Sequence, residues 1–197
     1  MAKVVDESKL MRIKEAAIEL VVKNGYGGAS ISAIAAQANV AVGYLYRFYE
    51  SKYDLVSDML DDKIRDITGQ LEVMMEQCNT IQQVITPLVS YFFELAWHQP
   101  HHMRFVYALI NDYRFSILPD QHQRIHKLCM RLLQIGENTR EISSEFGAEE
   151  IYLMTVIYPV QFINVRFKQL FCHEALSEID KERVVSLCMG ALKGSIA

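Results

Sequence analysis

The sequence predicts an all-α protein of about nine helices, with an N-terminal three-helix domain over residues 1–50 and a C-terminal helical bundle over residues 51–197. Apolar residues recur at helical spacing along the whole chain, and no stretch alternates as a strand would. Glycine and proline, nine and four in number, mostly stand where a helix would start or stop. With 197 residues, 51% of them hydrophobic against 22% charged, the chain holds enough apolar material for a real core, and disorder is excluded.

The first helix is expected from Ser8 to Lys23, because Leu10, Ile13, Ala17, Leu20 and Val21 share a face and Asn24-Gly25 supplies a left-handed stop. Ser30 is a good N-cap for a very short second helix whose Ile31, Ile34, Ala35 and Ala38 face inward. Ala33 stands where a capping box wants Glu, so that cap is half made. A third short helix runs from Val42 to Phe48. Ser51-Lys52-Tyr53-Asp54 then fits the Ser-x-x-Asp start signal of a long fourth helix reaching Cys78. Thr80 with Gln83 opens a fifth to Trp97, Pro100 sits in the first turn of a sixth to Asp112, and Pro119 starts a seventh to Glu141. The eighth runs from Ala148 to Cys172 and bends at Pro159, which has no N–H for one helical bond. Ser177 begins the last, which ends at Lys193-Gly194.

Composition and motifs set several classes aside. The longest uncharged apolar stretch, Ile151 to Val165, holds Pro159, Gln161 and Asn164 and is too short and polar for a membrane span. Residues 1–10 include Asp6 and Glu7 and lack the apolar run of a signal peptide. Cys78, Cys129, Cys172 and Cys188 are widely separated, so a cytoplasmic chain with reduced thiols is expected. No phosphate loop, Gly-x-Ser-x-Gly or His-Glu-x-x-His run occurs, so neither an enzyme nor a cofactor is expected. His122 and His126 are four apart, with Cys129 three further on and His98, His101 and His102 clustered nearby. No carboxylate or thiolate pair accompanies them, and no metal site is expected. The net charge of −4 is uneven: residues 1–55 carry seven Lys/Arg against six Asp/Glu, and residues 56–197 thirteen against eighteen. A near-neutral N-terminal module can approach phosphate while an acidic body stays clear.

Residues 30–48 place two short helices around a tight turn at Ala38-Asn39-Val40, with small alanines that let them cross closely. This is the layout of a helix-turn-helix, whose second helix enters the DNA major groove. Leu45 and Phe48 are expected to face in, and Val42, Gly43, Tyr44, Tyr46 and Arg47 out. Gly43 permits close approach to the duplex. Tyr44 offers its ring to a thymine methyl and its hydroxyl to a base edge or phosphate, and Tyr46 and Arg47 donate to phosphate oxygens. Lys52, in the first turn of the fourth helix, and Ser30 and Ser32, opening the second, add phosphate contacts. Tyr49 and Tyr53 read as packing residues. A plain helical hairpin is the competing reading of the same short helices.

The run from Ala16-Ala17 through Gly25-Tyr26, Ile34-Ala35, Val40, Gly43, Leu45-Tyr46, Phe48-Tyr49 and Ser51-Lys52 to Leu55 resembles the DNA-binding domain of the TetR (tetracycline repressor) family. The resemblance implies a homodimeric transcription regulator, most often a repressor, that leaves a palindromic operator in double-stranded DNA when a small-molecule effector binds the C-terminal domain. It also implies that the last two long helices pair with those of a second copy. By position it carries DNA contacts to Gly43, Tyr44, Tyr46, Arg47 and Lys52. The chain departs from the family at Ala41, where Ser or Thr is usual, at Val42, often Lys, and at Ala33, usually acidic. The lost cap weakens the recognition helix, and the lost amine removes one phosphate contact.

Aromatic and sulfur side chains crowd the second half, and core packing accounts for most of them. A pocket inside a helical bundle is lined by the same chemistry, with a few polar handles. The candidates are Phe93, Trp97, Met103, Tyr107, Tyr113, Tyr158 and Phe162, with Arg104 or His126 as the handle for an apolar or aromatic effector. Two other classes stay open. One is a DNA-binding protein of the same fold that acts through protein partners without an effector. The other is a small-molecule binder or enzyme on a helical bundle whose N-terminal motif has degenerated.

Overall fold

Asp6 starts the first helix by accepting the Lys9 backbone N–H on its carboxylate at 3.2 Å. In the computed structural model, which describes residues 6–193, this helix, α1 (Glu7–Gly28), is broken at Gly25. Gly25 takes φ 73°, a left-handed conformation that glycine adopts without penalty. The expected stop at Asn24-Gly25 is therefore real, and one further turn follows it. α2 (Ile31–Gln37) is capped by Ser30, whose hydroxyl accepts from the Ala33 N–H. The chain turns at Asn39, φ 54°, into α3 (Val42–Leu45). α4 (Lys52–Gln77) opens as expected: Ser51 Oγ accepts the Asp54 N–H at 3.1 Å and Asp54 accepts the Glu50 N–H at 3.0 Å. Then come α5 (Gln82–His98), α6 (Pro100–Asn111) and α7 (Pro119–Asn138).

The eighth expected helix is a composite of α8 (Ala148–Tyr152), a π-helical turn (Leu153–Ile157) and α9 (Tyr158–Phe167). Pro159 was expected to bend it, and the distortion takes the form of that π turn, in which the Tyr158 N–H reaches back five residues to the Leu153 carbonyl. Side chains cover the disturbed carbonyls: Thr155 donates to Ile151 O at 2.7 Å and the Cys188 thiol to Met154 O at 2.9 Å. The run stops at Phe167 rather than Cys172, because Gln169 turns left-handed at φ 51°. α10 (Glu178–Leu192) begins with the Ser177–Asp180 capping box, and its expected end at Gly194 lies outside the described residues. Counting Ala148–Phe167 as one run, nine helices and no strand occur among the described residues.

Two compact units divide the chain differently from the expected boundary at residue 50. One comprises the chain through Asp62 together with Arg104–Leu118, and the other comprises Lys63–Met103 with Pro119 onward. The reason is the core of the first unit. Ile13, Ala17, Val21, Ile34, Ala35 and Leu45 are fully buried there, and Leu55, Val56 and Met59 of α4 and Phe105, Leu109 and Phe115 complete it. The second unit has its own core around Ile85, Phe93, Leu132, Ile151, Ile163 and Leu192.

Candidate nucleic-acid interface

The α2–α3 pair is held by small buried residues and a closed turn. Ala35 is fully buried, Ala38 nearly so, and the Val40 N–H returns to the Ala35 carbonyl at 3.0 Å. The Gln37 amide donates to Glu19, tying α2 to α1. α3 is shorter than the expected Val42–Phe48. Ala41 offers no side-chain cap, and after Leu45 the chain continues as tighter turns, with Arg47 N–H on Tyr44 O and Phe48 N–H on Leu45 O.

Leu45 is fully buried, as expected, while Phe48 is only half-buried. Val42, Gly43, Tyr46 and Arg47 are exposed together, and the Ser30 and Ser32 hydroxyls, 3.1 Å apart, stand exposed at the start of α2. A Cβ added at Gly43 would meet no atom within 4 Å, so the fold itself does not require glycine there.

Two of the expected contact residues are turned inward in the single chain. The Tyr44 hydroxyl does not reach outward: it is buried without a hydrogen-bond partner, and the ring tilts against Phe48 at 5.2 Å. Lys9 Nζ lies 5.4 Å from the centre of that ring and the Arg47 guanidinium 5.6 Å. Lys52 is likewise turned inward. Its ammonium donates to the Tyr26 and Ala29 carbonyls at 2.7 and 2.8 Å and lies 4.2 Å from the Tyr26 ring centre. Burial, and then the nearby Arg114, pull Lys52 below the ordinary lysine range. The carbonyls at the end of α1 have no helical donors, and Lys52 supplies them.

Replacing Lys52 by Met is expected to destabilise the first unit by about 2 kcal/mol, the scale of hydrogen bonds from a charged donor. The salt dependence of DNA binding should stay as in the wild type. Thermal denaturation and a salt titration check the two halves. An unshifted melting curve with a flatter salt slope would return Lys52 to the DNA surface.

Supports that sequence reading missed come from residues 104–118. Arg114 grips Asp112 with Nε and Nη2, each at 2.8 Å, and these bonds hold the Asp112 carboxyl well below its usual range. The guanidinium lies where a Gly27 Cβ would be, 2.0 Å from Nη1, so glycine makes room for it. Phe115 packs edge-on to Tyr26 at 5.1 Å and against Tyr53 at 5.7 Å, and Tyr53 donates to Ser116 O at 3.0 Å. Tyr49 and Tyr53 are packing residues, as expected. The Tyr49 hydroxyl donates to Asp58 at 3.1 Å, and burial, then that carboxylate, push it up to about 12. Lys14 bridges Asp58 and Asp62 at 3.4 and 3.0 Å, so α1 and α4 are pinned side by side.

The candidate pocket residues are not brought together as one set. Phe93, Trp97, Tyr158 and Phe162 form a chain of ring contacts at 5.6 to 6.4 Å, and Met103 is buried. Tyr113 is fully exposed, and Arg104 and His126 are exposed as well. Arg104, Tyr107 and Tyr113 belong to the first unit, the others to the second. A groove of about 400 Å³ beside α5 and α10 is lined by Gln82, Thr86, Val185, Ser186, Met189 and Gly190 and by none of the nine candidates. The His122 and His126 rings stack at 6.2 Å. Among the described residues no group of three His, Cys, Asp or Glu is placed to hold a metal ion, and no helix is long and apolar enough to cross a membrane.

Fold and site together define a chain with a helix-turn-helix module in one unit and a larger helical bundle in the other. Residues 13–59 match the bacterial regulatory proteins of the tetR family. It is 30% identical over 87 residues to the fatty acid metabolism regulator protein of Bacillus subtilis (strain 168). That match spans 44% of this chain and 45% of the relative, less than half of either. Among solved structures, a TetR family transcription regulator from Marinobacter aquaeolei VT8 shares the fold with a TM-score of 0.73 at 14% identity, covering 95% of this chain and 96% of that one. FadR from Bacillus subtilis, solved in complex with stearoyl-CoA, does so with a TM-score of 0.65 at 18% identity, covering 95% and 99%. These identities establish a shared fold.

Proposed function

We propose that this protein is a sequence-specific DNA-binding transcription regulator, a homodimeric repressor released from its operator by a small molecule bound in the C-terminal body. The observation that carries the reading is the exposed cluster of Ser30, Ser32, Val42, Gly43, Tyr46 and Arg47 on a helix-turn-helix of the tetR family. Two such modules related by a two-fold axis meet major-groove faces about one helical turn apart, so the operator is roughly palindromic. The last two helices supply the dimer contact. Leu153, Leu170, Phe171, Ile179 and Leu187 are large apolar residues exposed in the single chain, and all lie between α8 and α10. An effector must bind the released arrangement about 10⁴-fold more tightly to switch the population fully. FadR from Bacillus subtilis was solved in complex with stearoyl-CoA, which makes a long-chain acyl-CoA the effector class proposed for this chain.

The test is selection of a duplex from a random pool, followed by anisotropy titration with and without stearoyl-CoA. Two chains per palindromic duplex, released on adding stearoyl-CoA, is the expected result. Failure to enrich any sequence sinks the DNA reading, and enrichment with no release sinks the acyl-CoA assignment. Gly43→Ala sharpens the test. It should stabilise the free protein by about 0.5–1 kcal/mol, since glycine costs that much in a helix. The added methyl stands on the duplex-facing surface and should weaken DNA binding. A variant with undiminished affinity would show that α3 does not approach the duplex closely.

A further inference from the structure

The first turn of α1 brings a cation onto the same ring that braces α3. Lys9 and Arg47 approach the Tyr44 ring at 5.4 and 5.6 Å, close enough for cation–π attraction. Tyr44 is thus a platform that fixes two positive side chains beside the exposed face of α3. Lys9 is half-buried by that stacking, and its ammonium also pairs with Asp6 at 3.1 Å. Such a pair, about two-fifths exposed on both sides, is weakened by solvent and breaks readily when a better anion arrives. A helix seated in the major groove is flanked by phosphate strands roughly 12 Å apart. A cation resting on a side chain of that helix therefore stands at the groove's edge, where those strands run.

We infer that Lys9 is a DNA-phosphate contact of this chain, delivered by α1 beside the recognition helix, and that the Asp6 carboxylate competes with the phosphate for it. Lys9 thereby supplies the kind of amine that Val42 does not. The inference rests on the DNA-binding reading above.

Three variants test it: Lys9→Met, which keeps an unbranched stem on the Tyr44 ring without the charge; Asp6→Asn, which keeps a competent N-cap; and Arg47→Ala as the reference. Each is titrated against a random-sequence duplex of about 30 base pairs, and against the selected duplex, between ~50 and ~200 mM salt. Lys9→Met is expected to flatten the slope of log affinity against log salt by about 1.8, about 0.9 for each of the two bound chains, and to lower affinity by the same factor on both duplexes. Asp6→Asn is expected to raise affinity on both. A wild-type slope in Lys9→Met alongside a flattened one in Arg47→Ala would show that Lys9 only packs, with the DNA reading intact. Unchanged or weaker binding in Asp6→Asn would remove the competition. A wild-type chain that binds neither duplex overturns the DNA reading and this inference with it.

Discussion

Asp180→Ala is expected to lower the stability of the second unit by about 3–5 kcal/mol, because it strands a buried guanidinium. Arg166 is nearly buried and donates from Nη1 to Asp180 and from Nη2 to the Glu174 and Ala175 carbonyls, while its Nε–H is buried without a partner. Asp180, itself buried, also accepts from the Ser177 N–H and hydroxyl at 2.9 and 2.8 Å, closing the α10 cap. One carboxylate thus fixes both the chain between α9 and α10 and the start of α10. The melting temperature should fall on the order of 10 °C. The double variant Arg166→Met/Asp180→Leu should recover most of the loss, since replacing both partners removes the stranded charge, and what remains is the cap, about 1 kcal/mol. Equal losses in the single and double variants would show that the ion pair is not the source. The pH dependence has a definite sign. Burial works against the Asp180 charge, but the Ser177 and Arg166 bonds outweigh it and hold the carboxyl below its ordinary value. Its contribution is therefore complete above the unfolded pKa near ~3.9 and is lost as pH falls through the lower folded value. Acid titration of the wild type should show that loss, and Asp180→Asn should not.

The parts of this architecture that the sequence disclosed are those fixed by neighbours. Ser30, the Ser51–Asp54 pair and Ser177 cap helices through contacts three residues apart, and each was legible as a start signal. Asn24-Gly25 and Asn39 were legible for the same local reason. What escaped depends on partners far along the chain. Lys52 looked like a free cation because the carbonyls it serves, at Tyr26 and Ala29, lie 26 and 23 residues away. Tyr44 looked outward because helical spacing alone does not show that Lys9, Arg47 and Phe48 enclose its ring. The join between Asp112–Ser116 and Tyr26–Tyr53 had no local signal at all. Aromatic identity was equally silent about depth: Phe93 is fully buried and Tyr113 fully exposed, though both were candidates for the same pocket. The bend at Pro159 was legible, but its π form depends on Tyr158, Thr155 and Cys188 together.

Ile179→Asp combined with Leu187→Asp is expected to produce monomers whose affinity for the palindromic duplex falls by 10²–10⁴, the range by which linked binding exceeds a single site. Both side chains are large and apolar, yet 66% and 51% exposed in the single chain. An aspartate on such a face stays hydrated in the monomer and costs the fold little. In the proposed dimer the same carboxylate must shed its water without a partner, and that penalty falls on assembly alone. The neighbouring positions fit a close helix approach: Ser186 and Gly190 are exposed on the same side of α10, and a Cβ at Gly190 would meet nothing within 4 Å. Light scattering gives the mass, thermal melting reports the fold, and anisotropy compares the full palindrome with one half-site. A monomer that melts like the wild type, binds a half-site with unchanged affinity and loses the palindrome is the expected combination. If the variant stays dimeric, the contact lies elsewhere, whereas a folded monomer holding the palindrome at wild-type affinity would mean that the two recognition helices do not act as a pair.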